Sequence, residues 1–258
     1  MSLTIERRTP RLFVPLMLAL ALALAGSVLP FGRAAVHGVV LDPVTVSAPV
    51  MRYRAGATLT TGRYPVVVSW TNTSLVAAAR YQVDVSTDAG GFATIGYPTG
   101  TSLLTTVASG HSYTIRVRGL DTGLTPGPWS ETSAIPVRGF QETSAAFTWA
   151  GYWAVGTSAY HWGGHTRYAG VAGRSATFTF TGRSAAIVAP VGPTRGSMKV
   201  YVDGLYRKTV STYASANGYR RIVYEVTWVE PGPHTVKIVV VGTAGHPRVE
   251  IDGMAVLQ

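Results

Sequence analysis

The chain has 258 residues, 47% of them hydrophobic and 13% charged, carries a formal charge of +10 and contains no cysteine. This composition excludes extended disorder, disulfide frameworks, cysteine–histidine zinc sites and thiol nucleophiles, and leaves folding to apolar burial and backbone hydrogen bonds. The charge lies along the whole chain, with four Arg against one Glu in residues 1–34, seven Arg against five acids in 35–138, and eleven Lys/Arg against six acids in 139–258. No recognition helix, zinc finger or clustered basic–aromatic stripe accompanies it, so nucleic acid is not an expected partner.

The N-terminus opens with Arg7, Arg8 and Arg11 and then an uncharged apolar run over residues 12–29. A positive segment, an apolar segment and then small residues is the order of an export signal. Small residues before the cut allow cleavage after Ala25 or after Ala34. Left uncleaved, the 18-residue run is just long enough to anchor the chain in a membrane. Either outcome places the remainder outside the cytoplasm, secreted or at the cell surface, with membrane contact only through this segment.

Beyond residue 36 no stretch has helical periodicity; short alternating apolar segments are separated by Gly, Pro, Asp and Asn, the pattern of sandwiches and barrels. Strands are predicted over 65–71, 79–87, 101–107 and 112–121. In the second of these Tyr81, Val83 and Val85 share one face, and Gln82, Asp84 and Ser86 the other. The TDAGG segment, 87–91, is a hairpin signal whose glycines supply the positive φ. Trp70, Tyr81, the Y-x-I-R-V-R run from Tyr113 and GPWSE at 127–131 resemble, in order, the anchors of fibronectin type III and related Ig-like modules. That resemblance implies a sandwich over 35–138 with Trp70 at its centre and Tyr113 as a corner tyrosine bonded to upstream backbone. It implies no catalysis.

The next block, 139–258, has predicted strands at 175–182, 185–191, 197–204, 205–213, 220–228, 234–243 and 248–257. Asp203-Gly204 makes a type I′ hairpin, and the PGP at 231–233 reads as a rigid turn. The segments FQETSAAFTWAGYW, SMKVYVDG, YRRIVYEVTW and HTVKIVVVGTAGHPRVEIDGMAVL are similar to a C-terminal module of secreted bacterial proteins in the galactose-binding-like jelly-roll group. The expected architecture is therefore all-β: two tandem β-sandwiches, fibronectin type III-like and then jelly roll, after an N-terminal signal peptide at 1–34. Two bodies with separate sheets are expected.

Chemistry concentrates in residues 149–168, which hold six aromatic residues, His161, His165 and Arg167. A sugar ring offers an apolar C–H face to an indole or phenol and hydroxyls to a polar rim, so carbohydrate binding needs this mixture. Trp153, Tyr160 and Trp162 are the candidate stacking residues, with His161, His165 and Arg167 as the rim; packing in a sandwich core is the competing role for the aromatics. His161 and His165 lack a carboxylate or third histidine nearby for a transition metal. In calcium-assisted jelly rolls an acid at the first strand meets one at the last. The resemblance therefore implies that Glu142 and Asp252 would hold a structural Ca²⁺, the alternative being solvated or Arg-paired charges. No other cofactor is expected. No nucleophile elbow, zinc-protease motif or carboxylate pair stands out, so the chain reads as a non-enzymatic binder of polysaccharide or cell-envelope glycan, or else a protein–protein or spacer module.

Overall fold

The computed structural model describes residues 42–258, and the expected export segment at 1–34 lies outside them. With strands numbered in chain order, β1 (Val50–Tyr53), β2 (Arg63–Ser69) and β5 (Ser102–Ala108) form an antiparallel sheet in the order β1-β2-β5. Facing it are β3 (Arg80–Thr87), β4 (Ala93–Gly96), β6 (Ser112–Leu120), the short β7 (Ser130–Glu131) and β8 (Ile135–Gln141), running β8-β6-β3-β4 with β7 beside β6. Strict alternation along β2 and β6 sends Tyr64, Val66 and Val68 against Tyr113, Ile115 and Val117. Trp70 is buried between these sheets, its indole edge-on to Tyr81 at 5.3 Å. The Tyr113 hydroxyl accepts the Ala108 backbone N–H at 2.8 Å, tying the β5–β6 corner.

The second face of β3 is not solvated as its polar residues suggest. Asp84 is buried, accepting two hydrogen bonds from the Arg116 guanidinium at 3.1 and 2.8 Å and one from Thr94, while Arg118 donates twice to Gln82. Arg116 and Arg118 in turn lie over the Trp129 ring at 4.2 and 4.3 Å. A charge at a sheet face is thus covered by its own partners and by an indole. The β3–β4 turn also departs from expectation. Positive φ falls on Asp88 (52°) and Ala89 (59°), the two central positions, rather than on Gly90 and Gly91. The Asp88 carboxylate accepts the Ser112 N–H and sits 2.6 Å from His111, which holds this residue in place.

The second half contains β9 (Phe147–Ala150), β10 (Ala154–Thr157), a 3-10 turn (Trp162–Gly164), β11 (His165–Ala169), β12 (Ser175–Val191), β13 (Ser197–Val202), β14 (Leu205–Ser211), β15 (Gly218–Val240), β16 (Val249–Ile251) and β17 (Gly253–Leu257). The predicted strands 175–182 and 185–191 are one bent strand, β12. Likewise 220–228 and 234–243 merge into β15, so PGP bends a strand instead of reversing the chain. The bend lies at the register shift where Gly182 faces Gly232 and Ser184 faces Thr227. Asp203 (φ 52°) and Gly204 (φ 79°) form the expected hairpin. The core between the sheets contains Phe178, Ile187, Met198, Val200, Ile238 and Met254.

The two halves do not keep separate sheets. The start of β8 pairs with β6 and its last five residues pair with β17, giving one path, β14-β13-β15-β12-β17-β8-β6-β3-β4. The reason is in the composition of β12 and β17, whose AAIVAPV and GMAVL runs are apolar without alternation. Such runs belong to strands covered on both faces. Ala185, Ile187, Met254 and Val256 point into the second half's core, while Ala186, Val188, Ala255 and Leu257, with Ile222, join Met51, Tyr53 and Tyr64 of the first. At roughly 1.5–3 kcal/mol per buried aliphatic side chain, Val188, Ile222 and Leu257 alone stabilise this junction by on the order of 5 kcal/mol. Leu41–Gln258 is accordingly one unit. Among the described residues no helix is long and apolar enough to cross a membrane.

Candidate functional site

The structure sorts the residues expected to bind sugar into three groups. Trp153 is only 5% exposed, in the core, edge-on to Trp149 at 4.9 Å. It is packing, not a platform, for it belongs to the same buried cluster as Phe147 and Phe178. Trp162 also faces inward. Its ring lies against Tyr64 of the first half at 5.6 Å, over Gly139 and Gly253, where any Cβ would collide with the indole. With its amide oriented to satisfy both groups, Gln141 donates to the Trp162 carbonyl and accepts from Nε1. Trp162 is thus a wedge at the junction of the halves, corrected from its expected role as a stacking ring. Arg167 lies over the Trp149 ring at 5.2 Å, and exposed His165 reaches no further than the Gly163 carbonyl, 3.3 Å away. Only Tyr160 stands out, 67% exposed.

Tyr160 leads to the residues that sequence reading passed over. Its ring stacks on Tyr219 at 5.1 Å and 25°, and His161 meets the same ring edge-on at 5.5 Å. Arg220, held at φ 54°, donates to the carbonyls of Ala159, Tyr160 and His161 and so clamps the aromatic loop to the start of β15. A non-glycine residue in this conformation is costly and persists where its surroundings over-determine it. The loop before β13 lies alongside. Gly192 bridges to Tyr213, Arg195 bridges to Arg248, and exposed Tyr213 packs on His246 at 5.1 Å. Loops from four parts of the chain therefore meet at one end of the second half, with Tyr160, Tyr219, Tyr213 and His246 on the rim.

Beneath them Glu250 is fully buried. It accepts from Arg195 at 2.6 Å, from Arg248 at 3.1 Å and from the Thr166 hydroxyl, with His161 Nε2 at 3.5 Å. Burial lowers the His161 pKa, opposed by Glu250 and assisted by Arg195, Arg248 and Arg220; its buried Nδ1 has no partner among the described residues. Two guanidinium groups on one carboxylate leave this floor net positive. Arg195 is one of its structural members.

Glu142 and Asp252 are both buried. Glu142 follows the end of β8; Asp252 separates β16 from β17 and accepts the Trp162 backbone N–H on both oxygens at 3.0 Å. Burial pushes the Asp252 pKa up to about 7, opposed by the Trp162 N–H and reinforced by the charges of Glu142 and Glu250. Neither carboxylate has an ion pair among the described residues, which removes the Arg-paired reading. The donor set is oxygen only and fits a hard cation completed by carbonyls or water, although no group of three or more acidic, His or Cys side chains is gathered among the described residues.

No protein-family model and no curated protein matches the chain. Among solved structures it is similar to the CBM36-1 domain of a multidomain xylanase from the hindgut metagenome of Trinervitermes trinervoides, at 16% identity over 46% of this chain and 94% of that one, TM-score 0.34. A CBM35 from Cellvibrio japonicus Abf62 matches at 14% identity over 46% and 91%, TM-score 0.33. The Agl-KA catalytic domain matches at 17% identity, TM-score 0.35; there the match covers 48% of this chain but only 28% of the other. The solved structures to which this all-β chain is similar thus include carbohydrate-binding modules as well as part of a catalytic domain.

Proposed function

We propose that this chain is an exported, non-catalytic binding protein that holds carbohydrate at the loop end of its second half. The observation that carries the reading is the stacked Tyr160–Tyr219 pair, Tyr160 exposed and Tyr219 half-buried, clamped by Arg220 above a positively charged floor. Rigid phenol faces supply the apolar surface a pyranose needs, and Tyr213, His246 and the neighbouring loop backbone supply polar rim contacts. The carboxylates here are poor candidates for bond breaking. Glu250 is saturated by two guanidinium groups and a hydroxyl, and Glu142 and Asp252 are buried away from the rim. The first half, fibronectin type III-like in its anchors, carries the site on a rigid junction, and the N-terminal segment directs export, leaving the protein secreted or at the cell surface.

Glu142 and Asp252 would hold a structural Ca²⁺, which would neutralise two buried charges and tie the end of β8 to the β16–β17 junction. The function is tested by screening the full chain on a glycan array beside Tyr160→Ala and Tyr219→Ala. Both variants lose roughly tenfold in affinity for whichever glycan the wild type retains, with unchanged circular dichroism, as expected for one lost stacking contact of about 1–1.5 kcal/mol. Wild-type protein that retains no glycan, or variants that retain it equally, would sink the reading.

A further inference from the structure

The sheet made by β9, the first half of β12, the last half of β15, β13 and β14 has an inner face that is core and an outer face that no other element covers among the described residues. Alternation puts Phe178, Val236, Ile238, Val200 and Val202 inward. Outward, one straight row crosses all five strands in register: Thr148, Thr177, Lys237, Tyr201, Tyr206. At the usual spacing between strands the row is about 19 Å long. Its middle is a hollow of about 390 Å³ lined by Thr177, Tyr201, Gly204, Thr235, Lys237 and Val239. Tyr201 and Tyr206 meet edge-on at 5.6 Å, and Tyr206, 54% exposed, anchors its hydroxyl on Thr209 at 3.0 Å.

The charges on this face follow a rule that the rest of the protein does not. The chain has three lysines, all on these adjacent strands: Lys199 and Lys237 project from the outer face, while Lys208, directly opposite inward-facing Val200, lies on the other, with exposed Arg207 next to it on β14. Elsewhere in the second half the cations are arginines engaged with the protein itself, as Arg195 and Arg248 are with Glu250 and Arg174 is with the Tyr152 carbonyl. Lys199 and Lys237 are exposed and make no side-chain hydrogen bond or ion pair among the described residues. Since Lys199 faces Val239 and Lys237 faces Tyr201, they are diagonal neighbours, roughly 7–8 Å apart. The one nearby carboxylate, Asp203, is occupied at the hairpin tip by His234 and the Thr235 N–H.

We propose that this face is a second binding surface, distinct from the loop end, for an extended polysaccharide that carries carboxylates. The charge complementarity selects an acidic chain. The threonine hydroxyls along β12 and β15 and the phenol of Tyr206 match sugar hydroxyls and a C–H face. A nucleic acid strand would require more than two free cations on this face and parallel aromatic platforms, which Tyr201 and Tyr206 do not form. Lysine suits the role because a compact, mobile ammonium follows carboxylates along a polymer without demanding fork geometry.

The test is affinity electrophoresis of the full chain in gels containing polygalacturonate, carboxyl-reduced polygalacturonate or no polymer, with a labelled single-stranded oligonucleotide measured in parallel. Wild type and Tyr160→Ala are retarded by polygalacturonate. Lys199→Gln/Lys237→Gln and, separately, Tyr206→Ala bind roughly tenfold more weakly, each having lost contacts worth about 1.4 kcal/mol. Retardation falls as salt is raised and is absent with the reduced polymer. Because Tyr160→Ala is the loop-end variant, loss of retardation in it alone would assign the binding to the loop end and overturn the second surface. The proposal is equally overturned by no retardation of wild type, by an unaffected lysine double variant, by equal retardation in reduced polymer, or by tighter binding of the oligonucleotide.

Discussion

Asp252 is the most informative single residue to perturb. In protein freed of divalent cations by a chelator, its pKa is about 7 against an ordinary 3.8. Between those values the native state keeps a proton that the unfolded chain has released. The associated stability is therefore fully present below about pH 4 and is lost as pH rises through about 7. At about 1.4 kcal/mol per pKa unit, the roughly three-unit shift corresponds to about 4 kcal/mol. Asp252→Asn keeps the shape and an acceptor for the Trp162 N–H but does not titrate, so its stability is flatter across that window, and at pH 8 it exceeds that of the wild type. Urea unfolding from pH 4 to pH 8.5 at constant m measures the effect; the wild-type midpoint falls by roughly 2 M more than the variant's. Added calcium at a hundredfold excess over its Kd stabilises the wild type at pH 8 by about 2.7 kcal/mol and leaves the variant unchanged. Equal pH slopes in the two proteins would refute the assignment of the buried charge. Equal calcium stabilisation would refute the cation site.

Trp153→Ala destabilises the fold by about 3–5 kcal/mol in chemical unfolding, whereas Tyr160→Ala costs under about 0.5 kcal/mol, because only the first ring is core. Tyr113→Phe strands the Ala108 N–H and lowers stability by about 1–2 kcal/mol in the same assay. Ala89→Gly relieves a left-handed alanine and raises the unfolding free energy by up to about 1 kcal/mol. Scanning calorimetry of the full chain shows one cooperative transition for the two halves, since β8, Trp162 and the Val188–Leu257 layer belong to both; two resolved transitions would contradict the shared core.

Much of the strand content could be read from alternation, since the runs around Val66, Ile115, Val200 and Ile238 each bury every second residue. The failures have identifiable causes. Aromatic density near 149–168 suggested a platform, but an indole is equally suited to core and rim, and local sequence does not say which way Trp153 or Trp162 turns. The ring that pairs with Tyr160 is Tyr219, and the partners of Glu250 are Arg195 and Arg248; the distant members come together only where loops meet. The YRR segment at 219–221 entered only as the start of a module-like strand, and its positive φ at Arg220 has no sequence signature of the kind a glycine gives.

The amino-acid order by itself determined most of the longer strands and the Asp203-Gly204 hairpin, because side-chain alternation and turn chemistry act over a few residues; the burial of Trp70 followed from the resemblance to fibronectin type III modules. The order also held, in the unbroken apolar runs at 185–191 and 253–257, the sign that those strands are covered on both sides. Tertiary structure alone decided what covers them, which aromatic rings face water, and which carboxylates are paired or left buried without a counter-charge. Those outcomes depend on which distant segments approach, and long-range packing sets the burial, the local dielectric and the partners of each group.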